Sequence, residues 1–217
     1  MLMVCNRIFN NYIFIFCFQG ESMERTKKGK SAKNRIVTAA WQLFHEKGYN
    51  ATTVDDIIAL SDTSKGSFYY YFNTKDELLN TLSVILDDFY EELESKMKPD
   101  LNSFVKLLNV NYEAHKMIEE NISIDLIASL YSTQLVSQGQ RNLLDQNRTY
   151  YKFITRIVTE GQMRGQIRND MSAIEITKYF TMCERALVSD WCLSRGEFSL
   201  SEYSHKCMPV MLEHFKA

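Results

Sequence analysis

Turn-forming residues are scarce in this chain: glycine occurs 8 times and proline twice in 217 residues. Sheet-rich folds need many such residues, and the stretch between Pro99 and Pro209 carries helix formers at helical spacing, so an all-α fold follows. Cysteine is sparse too. Cys5, Cys17, Cys183, Cys192 and Cys207 are odd in number and lack paired C-x-x-C spacing, which excludes a disulfide framework and fits a reducing, cytoplasmic setting. The four histidines, His45, His115, His205 and His214, are scattered, and neither a nucleophile motif nor a glycine-rich phosphate loop is present. No enzyme and no cofactor or metal is therefore expected. The alternative in that class is a thiol or metal site built from the C-terminal cysteines and His205.

Long apolar runs are missing as well. Ile8 to Phe18 is rich in Ile and Phe, but it is too short to span a bilayer and no small-x-small cleavage site follows it. Residues 1–22 are expected to be a non-functional or disordered extension, with translation starting at Met23, and no membrane partner is expected. Net charge has no strong sign, −2 overall, yet its distribution is uneven. Arg25, Lys27, Lys28, Lys30, Lys33 and Arg35 form a block with no acid among them, which reads as an arm attracted to phosphate. Residues 23–79 hold 9 Lys and Arg against 7 Asp and Glu, whereas residues 80–217 hold 15 against 19. Nucleic acid belongs at the basic end.

Apolar periodicity resolves that end into helices. Ile36, Ala39, Ala40, Leu43 and Phe44 form one buried face, closed by Gly48. Thr53 caps a second helix to about Leu60, with Val54, Ile57 and Ile58 expected inside. Ser61-Asp62-Thr63 makes a turn, and Ser64 caps a short third helix, Lys65 to Phe72. Phe68 and Phe72 point inward there. Lys65, Gly66 and Ser67 supply charge, close approach and hydrogen bonding toward DNA, while Tyr69, Tyr70 and Tyr71 add hydroxyls and flat faces for base edges. Thr74-Lys-Asp-Glu77 reads as a capping box opening one long fourth helix through Leu93. Lys75 in its first turn opposes the helix dipole, which points to a DNA phosphate rather than to stability.

These residues carry a resemblance. Arg35-Ile-Val-x-Ala39-Ala-x-x-Leu-Phe44-x-x-Lys-Gly48-Tyr, Thr52-Thr-Val-x-x-Ile57 and Ser64-Lys-Gly-Ser-Phe-Tyr-Tyr-Tyr-Phe72-x-x-Lys75-x-Glu-Leu78 together resemble the DNA-binding domain of TetR-type repressors. The resemblance implies a dimer whose subunits each carry a three-helix DNA-binding domain, residues 23–78, and a larger helical ligand-binding and dimerisation domain, residues 79–217. It places Lys65, Gly66, Ser67, Tyr69 and Tyr70 on the recognition helix, Thr53 and Lys75 at flanking phosphates, and Tyr71 where the family often has His. The implied function is repression from a palindromic double-stranded operator, with a small-molecule effector moving the fourth helix to release the dimer. The alternative within this class is a ligand-independent dimeric DNA-binding protein. One departure stands out: the turn has Ser61-Asp62-Thr63 where Ala-Gly-Val is common, so Asp62 must adopt a positive φ.

Beyond residue 90 the pattern alone speaks. A fifth helix capped by Pro99-Asp100 carries Phe104, Leu107, Leu108 and Tyr112; a sixth segment spans 121–136; a long helix runs from about Arg141 to Arg164. Ser172-x-x-Glu175 and Ser199-x-x-Glu202 are capping boxes opening the last two helices, which suit a four-helix bundle with a second subunit. Candidate pocket positions are Tyr112, Met117, Tyr131, Tyr151 and Phe180.

Overall fold

The computed structural model describes residues 31–136 and 142–217; the extension at residues 1–22 and most of the basic arm lie outside them. Ten α-helices occur among the described residues: α1 (Ala32–Lys47), α2 (Val54–Ser61), α3 (Lys65–Tyr71), α4 (Asp76–Leu79), α5 (Thr81–Lys96), α6 (Ser103–Asn121), α7 (Ile124–Val136), α8 (Thr149–Met163), α9 (Ala173–Leu193) and α10 (Leu200–Leu212). The only extended pairing described is an isolated bridge between Ile167 and Lys216. The described residues form two compact units, one from 31–85 with 125–136, the other from 86–124 with 142–217.

In the first unit, α1 turns Ile36, Ala39, Ala40, Trp41 and Phe44 inward, and Ser31 accepts from the Asn34 amide at its start. The Trp41 indole donates to Thr81 Oγ1 at 2.8 Å, which in turn donates to the Leu78 carbonyl. The expected single fourth helix is broken at Asn80 into α4 and α5. Its first turn is wound tightly, with amide bonds reaching three residues back, from Leu78 to Lys75 and from Asn80 to Glu77. The Thr74 capping box does not form. Glu77 instead accepts from the amide and side chain of Asn73, so the acid closes the turn one residue earlier.

In α2 the burial is narrower than expected: Ile57 is buried, whereas Val54 and Ile58 are half-exposed, because eight residues give a face little more than one side chain wide. Asp62 sits in the left-handed region at φ 49°, ψ 50°. The Thr63 amide reaches back to the Ile58 carbonyl, which closes the helix as a glycine would. Arg35 supports the strained residue by donating to its carbonyl at 2.8 Å.

In the second unit, the cap of α6 is Asn102, whose side chain accepts from the Phe104 and Val105 amides, rather than Pro99-Asp100. α8 starts at Thr149, later than the apolar pattern suggested, since Asn142–Leu144 forms only a 3₁₀ turn. Ser172 and Glu175 form the reciprocal box expected at α9. Lys106, almost fully buried, donates to both oxygens of Glu160 and to the Pro99 carbonyl, and Arg148 grips Asp87 with two nitrogens. α6 also carries Asn111 and His115 among the apolar residues Leu107, Val110, Ala114 and Ile118 of its inner face, and Asn111 meets Glu184 of α9. Burial pushes the Glu184 carboxyl up to about 8 and the His115 imidazole down to about 4.

Two expected outcomes follow from these features. Replacing Asp62 with glycine removes a side chain from a positive-φ position and is expected to raise the melting temperature by about 2 °C; calorimetry showing a fall would mean that the lost ion pair between Arg35 and the Asp62 carboxylate, 3.7 Å long, outweighs the backbone strain. The second concerns pH. From the ordinary carboxylate range up to about 8, folded Glu184 keeps a proton that the unfolded chain has released, so its contribution to stability falls as pH rises. His115 acts oppositely, from about 4 up to the ordinary imidazole range, because the unfolded chain binds a proton that the folded chain refuses. The two offset each other below about pH 6.5, and above that Glu184 acts alone. Urea midpoints are expected to decline from there toward about 8, by up to roughly 1.4 kcal/mol per pH unit, and Glu184→Gln to flatten the decline.

Candidate nucleic-acid interface

A seven-residue helix has almost no stability of its own, so α3 depends on what it buries. Phe68 is fully buried and Phe72 nearly so, with their rings 5.9 Å apart. These anchors fix the rotation of the helix. On its other side Tyr69, Tyr70 and Tyr71 are exposed, Tyr70 to 80%. The rings of Tyr70 and Tyr71 meet edge to face at 4.8 Å, which presents two hydroxyls from one supported aromatic pair. Lys65 is exposed at the start of α3, and its only described ion pair is a long 3.8 Å contact with exposed Asp55.

Gly66 is informative because the fold does not require it. It has no positive φ, and a Cβ built there would approach nothing closer than Ser64 Oγ at 3.9 Å. Glycine is a poorer helix residue than alanine, so the fold itself gives no reason for a bare backbone at this exposed position. Ser67 lies alongside, with its amide taken by the Ser64 hydroxyl at 3.0 Å.

The flanking positions are busier than the sequence suggested. Thr53 caps α2, accepting from the Asp56 amide, while Asp56 accepts in return from the Thr53 amide and hydroxyl. Lys47, 2.6 Å from Asp56, and these Thr53 bonds hold that carboxyl well below its ordinary range. Lys75 has a reason inside the fold, contrary to the expectation that it gains nothing there. Its ammonium donates to the Tyr49 and Thr52 carbonyls at 2.8 and 2.9 Å and lies over the Tyr49 ring, tying α4 to the α1–α2 connection. Partial burial lowers its pKa. The Tyr49 hydroxyl donates to Asp76, and burial beside that acid pushes the phenol up. Two of the three N–H donors of Lys75 are thus committed within the fold.

The five candidate pocket positions fall in both units. Tyr131 belongs to the first unit and the other four to the second. Tyr112 meets α10, its hydroxyl 3.5 Å from Glu202 and its ring 5.5 Å from His205. Met117 is half-buried, and Tyr151 and Phe180 are buried. What sequence reasoning missed is the polar set Asn111, His115 and Glu184, where Asn111 Nδ2 donates to Glu184 Oε1 at 3.1 Å. The available signal was Asn111 and His115 four residues apart within the apolar stripe of Leu107, Val110, Ala114 and Ile118. Among the described residues no three His, Cys, Asp or Glu side chains group as metal ligands, and no helix is long and apolar enough to cross a membrane.

Comparison with known proteins agrees with this geometry. The family model described as bacterial regulatory proteins, tetR family, matches residues 36–82, and the model of the C-terminal region of YsiA-like proteins matches residues 83–214. The HTH-type transcriptional regulator QacR of Staphylococcus aureus is 29% identical over 149 residues, 65% of this chain and 77% of its own. The fatty acid metabolism regulator protein of Bacillus subtilis is 20% identical over 179 residues, 82% of this chain and 92% of its own. Thermus thermophilus FadR, a TetR family repressor solved with lauroyl-CoA, matches at a TM-score of 0.69 and 20% identity, covering 85% of this chain and 95% of that one. With the two models meeting end to end along residues 36–214, the chain belongs to the tetR family of bacterial regulatory proteins and is a helix-turn-helix transcriptional regulator.

Proposed function

We propose that the chain is an effector-gated repressor that works as a homodimer on a two-fold operator. Its reading surface is Lys65, Gly66, Ser67, Tyr69 and Tyr70, flanked by Thr53, Ser64, Tyr71 and Lys75. The observation that carries this reading is Gly66: an exposed helical glycine, unneeded by the fold, beside three exposed tyrosines and a lysine. A duplex backbone pressed against α3 accounts for all of them.

Dimerisation rests on a separate observation. On α9, exposed Tyr179, Met182, Ala186 and Leu193 follow one another at helical spacing, and on α10 Tyr203 and Val210 do the same, with half-buried Cys207 between them. α9 and α10 are joined by residues 194–199 alone. Single exposed apolar side chains are ordinary, but two adjacent helices with continuous outward stripes mark an interface. A second copy of the same pair completes a four-helix bundle, and it also supplies the second recognition helix that a palindrome needs.

The small-molecule part of the proposal rests on kinship: two solved relatives hold acyl-CoA thioesters, lauroyl-CoA in Thermus thermophilus FadR and stearoyl-CoA in Bacillus subtilis FadR. At 19–20% identity these structures support the fold of this chain, so its ligand chemistry has to come from its own core. α5 runs from the first unit into the second and is the element through which ligand binding would reach the reading surface.

Gly66→Ala is expected to leave the melting temperature unchanged or higher, while affinity for an operator selected from random duplexes falls at least about tenfold. Lys65→Ala is expected to weaken binding and lower the salt slope by about one. Full affinity in both variants would overturn the assignment of α3. Met182→Glu combined with Leu193→Glu is expected to sediment as a helical monomer that no longer holds the operator; a dimer persisting in that variant would place the interface elsewhere.

A further inference from the structure

The core of the second unit contains a carboxyl group that the fold does not explain. Glu184 lies on the inner face of α9, 6% exposed, between turns that bury Phe180, Leu187 and Val188. A buried carboxylate is normally paired with a cation; even half-buried Glu160 and Asp87 in this same unit are paired, with Lys106 and Arg148. Glu184 has no such partner among the described residues; its hydrogen bond comes from the neutral amide of Asn111. Asn111 Oδ1 is itself buried and accepts nothing. His115, one turn along α6, lies 3.4 and 3.5 Å from the same amide nitrogen through its two ring nitrogens, and is buried to 2% exposure. The charged groups nearby do not fill the gap. Arg185 acts on Glu184 only at a distance, and Glu119, which faces His115, is occupied by Ser199 and Ser201.

The set therefore offers one carboxylate, one free amide oxygen and one imidazole, all acceptors or convertible to acceptors, and lacks a donor that carries positive charge. Around it the helices are apolar: Leu107, Val110 and Ala114 on α6, Phe180 and Leu187 on α9. We propose that Glu184, Asn111 and His115 form the polar anchor of the effector site, and that the effector is a lipophilic amine bound as its ammonium ion. The ammonium donates to Glu184 and to Asn111 Oδ1, and the apolar body packs along α6 and α9. Carboxylates, phosphates and other anionic head groups find no positively charged donor in this set. This names the ligand class for the effector-gated reading above and depends on it. Since burial pushes the Glu184 carboxyl up to about 8, the acid is largely protonated at neutral pH, and binding a cation expels that proton to solvent.

The test uses the full chain and four probes: 4-phenylbutylamine, 4-phenylbutan-1-ol, 4-phenylbutyrate and lauroyl-CoA. The amine is expected to bind saturably, at least about tenfold more tightly than the alcohol, with no binding of the phenylbutyrate. Calorimetry in two buffers of different ionisation enthalpy is expected to show release of close to one proton per amine at neutral pH. Glu184→Gln, which keeps shape and hydrogen bonding, is expected to abolish both the preference and the proton release while leaving the alcohol affinity unchanged. Asn111→Leu provides an independent variant with the carboxyl intact and is expected to weaken the amine selectively. Equal affinity for amine and alcohol, or full amine affinity in Glu184→Gln, overturns the proposal. If lauroyl-CoA releases the operator and the amine does not bind, the effector-gated reading stands and this inference fails.

Discussion

Everything this chain presents to DNA depends on the burial of Phe68. A helix of seven residues cannot hold itself in water, so α3 exists because two rings, Phe68 and Phe72, are taken into the core of the first unit. Burying an aromatic side chain of this size contributes about 1.5–3 kcal/mol, several times what the helix's own propensity supplies. The anchoring also decides direction. With positions 68 and 72 inward, helical geometry leaves 66, 69 and 70 outward, so recognition chemistry is set by packing on the opposite side. A glycine is tolerated at position 66 because the fold draws no stability from that side of the helix.

The Tyr49, Lys75 and Asp76 arrangement does for the surrounding frame what Phe68 does for α3. The Lys75 ammonium gathers two carbonyls from the α1–α2 connection, and Asp76 takes the Tyr49 hydroxyl. Carbonyls at a helix-to-helix corner lack intrahelical donors, and a lysine reaching across satisfies two of them at once. This is why a cation is accepted in the first turn of α4 despite the unfavourable dipole. The clamp ends at the Thr52 carbonyl, next to Thr53, whose own capping box with Asp56 begins α2.

Much of this was legible in the residues. Periodicity located every long helix, capping chemistry located the starts of α2, α3, α9 and α10, and the positive φ at Asp62 was implied by the family resemblance, which has glycine at that place in the turn. The misses share a cause: each was decided by tertiary contacts. Asn80 interrupts a run that reads as continuous, where Thr81 is held by Trp41, forty residues earlier in the chain. Glu77 is one of two acids within reach of that turn, and only the fold selects Asn73 as its partner. At the start of α6, the Ser103 amide is taken by the side chain of Gln166, 63 residues along the chain, and the helix begins there with Asn102 rather than Asp100 as its cap. Aromatic side chains mark core and cavity alike, so the residue pattern alone does not separate pocket from core. The polar set at 111, 115 and 184 was overlooked because Glu184 lies 73 residues from the amide it meets, and no local pattern announces such a pairing.

α9 joins these themes, because it carries two unlike faces. Its inner face holds Glu184 among Phe180 and Leu187, and its outer face holds the stripe of Met182, Ala186 and Leu193. A core selected only for stability would place an apolar residue at position 184, since an acid held without a cation costs free energy that packing does not return. Retaining the acid makes sense if the cation arrives from outside. A helix is close to rigid across its width, so any shift or rotation that seats an ammonium against Glu184 also moves Met182 and Ala186, two residues to either side. Under the dimer and ligand assignments argued above, the interface therefore feels the ligand through one helix, without a relay of intermediate side chains. The coupling is then bounded by how much better the ammonium binds one position of α9 than the other, and this differential alone sets how far the operator affinity can change.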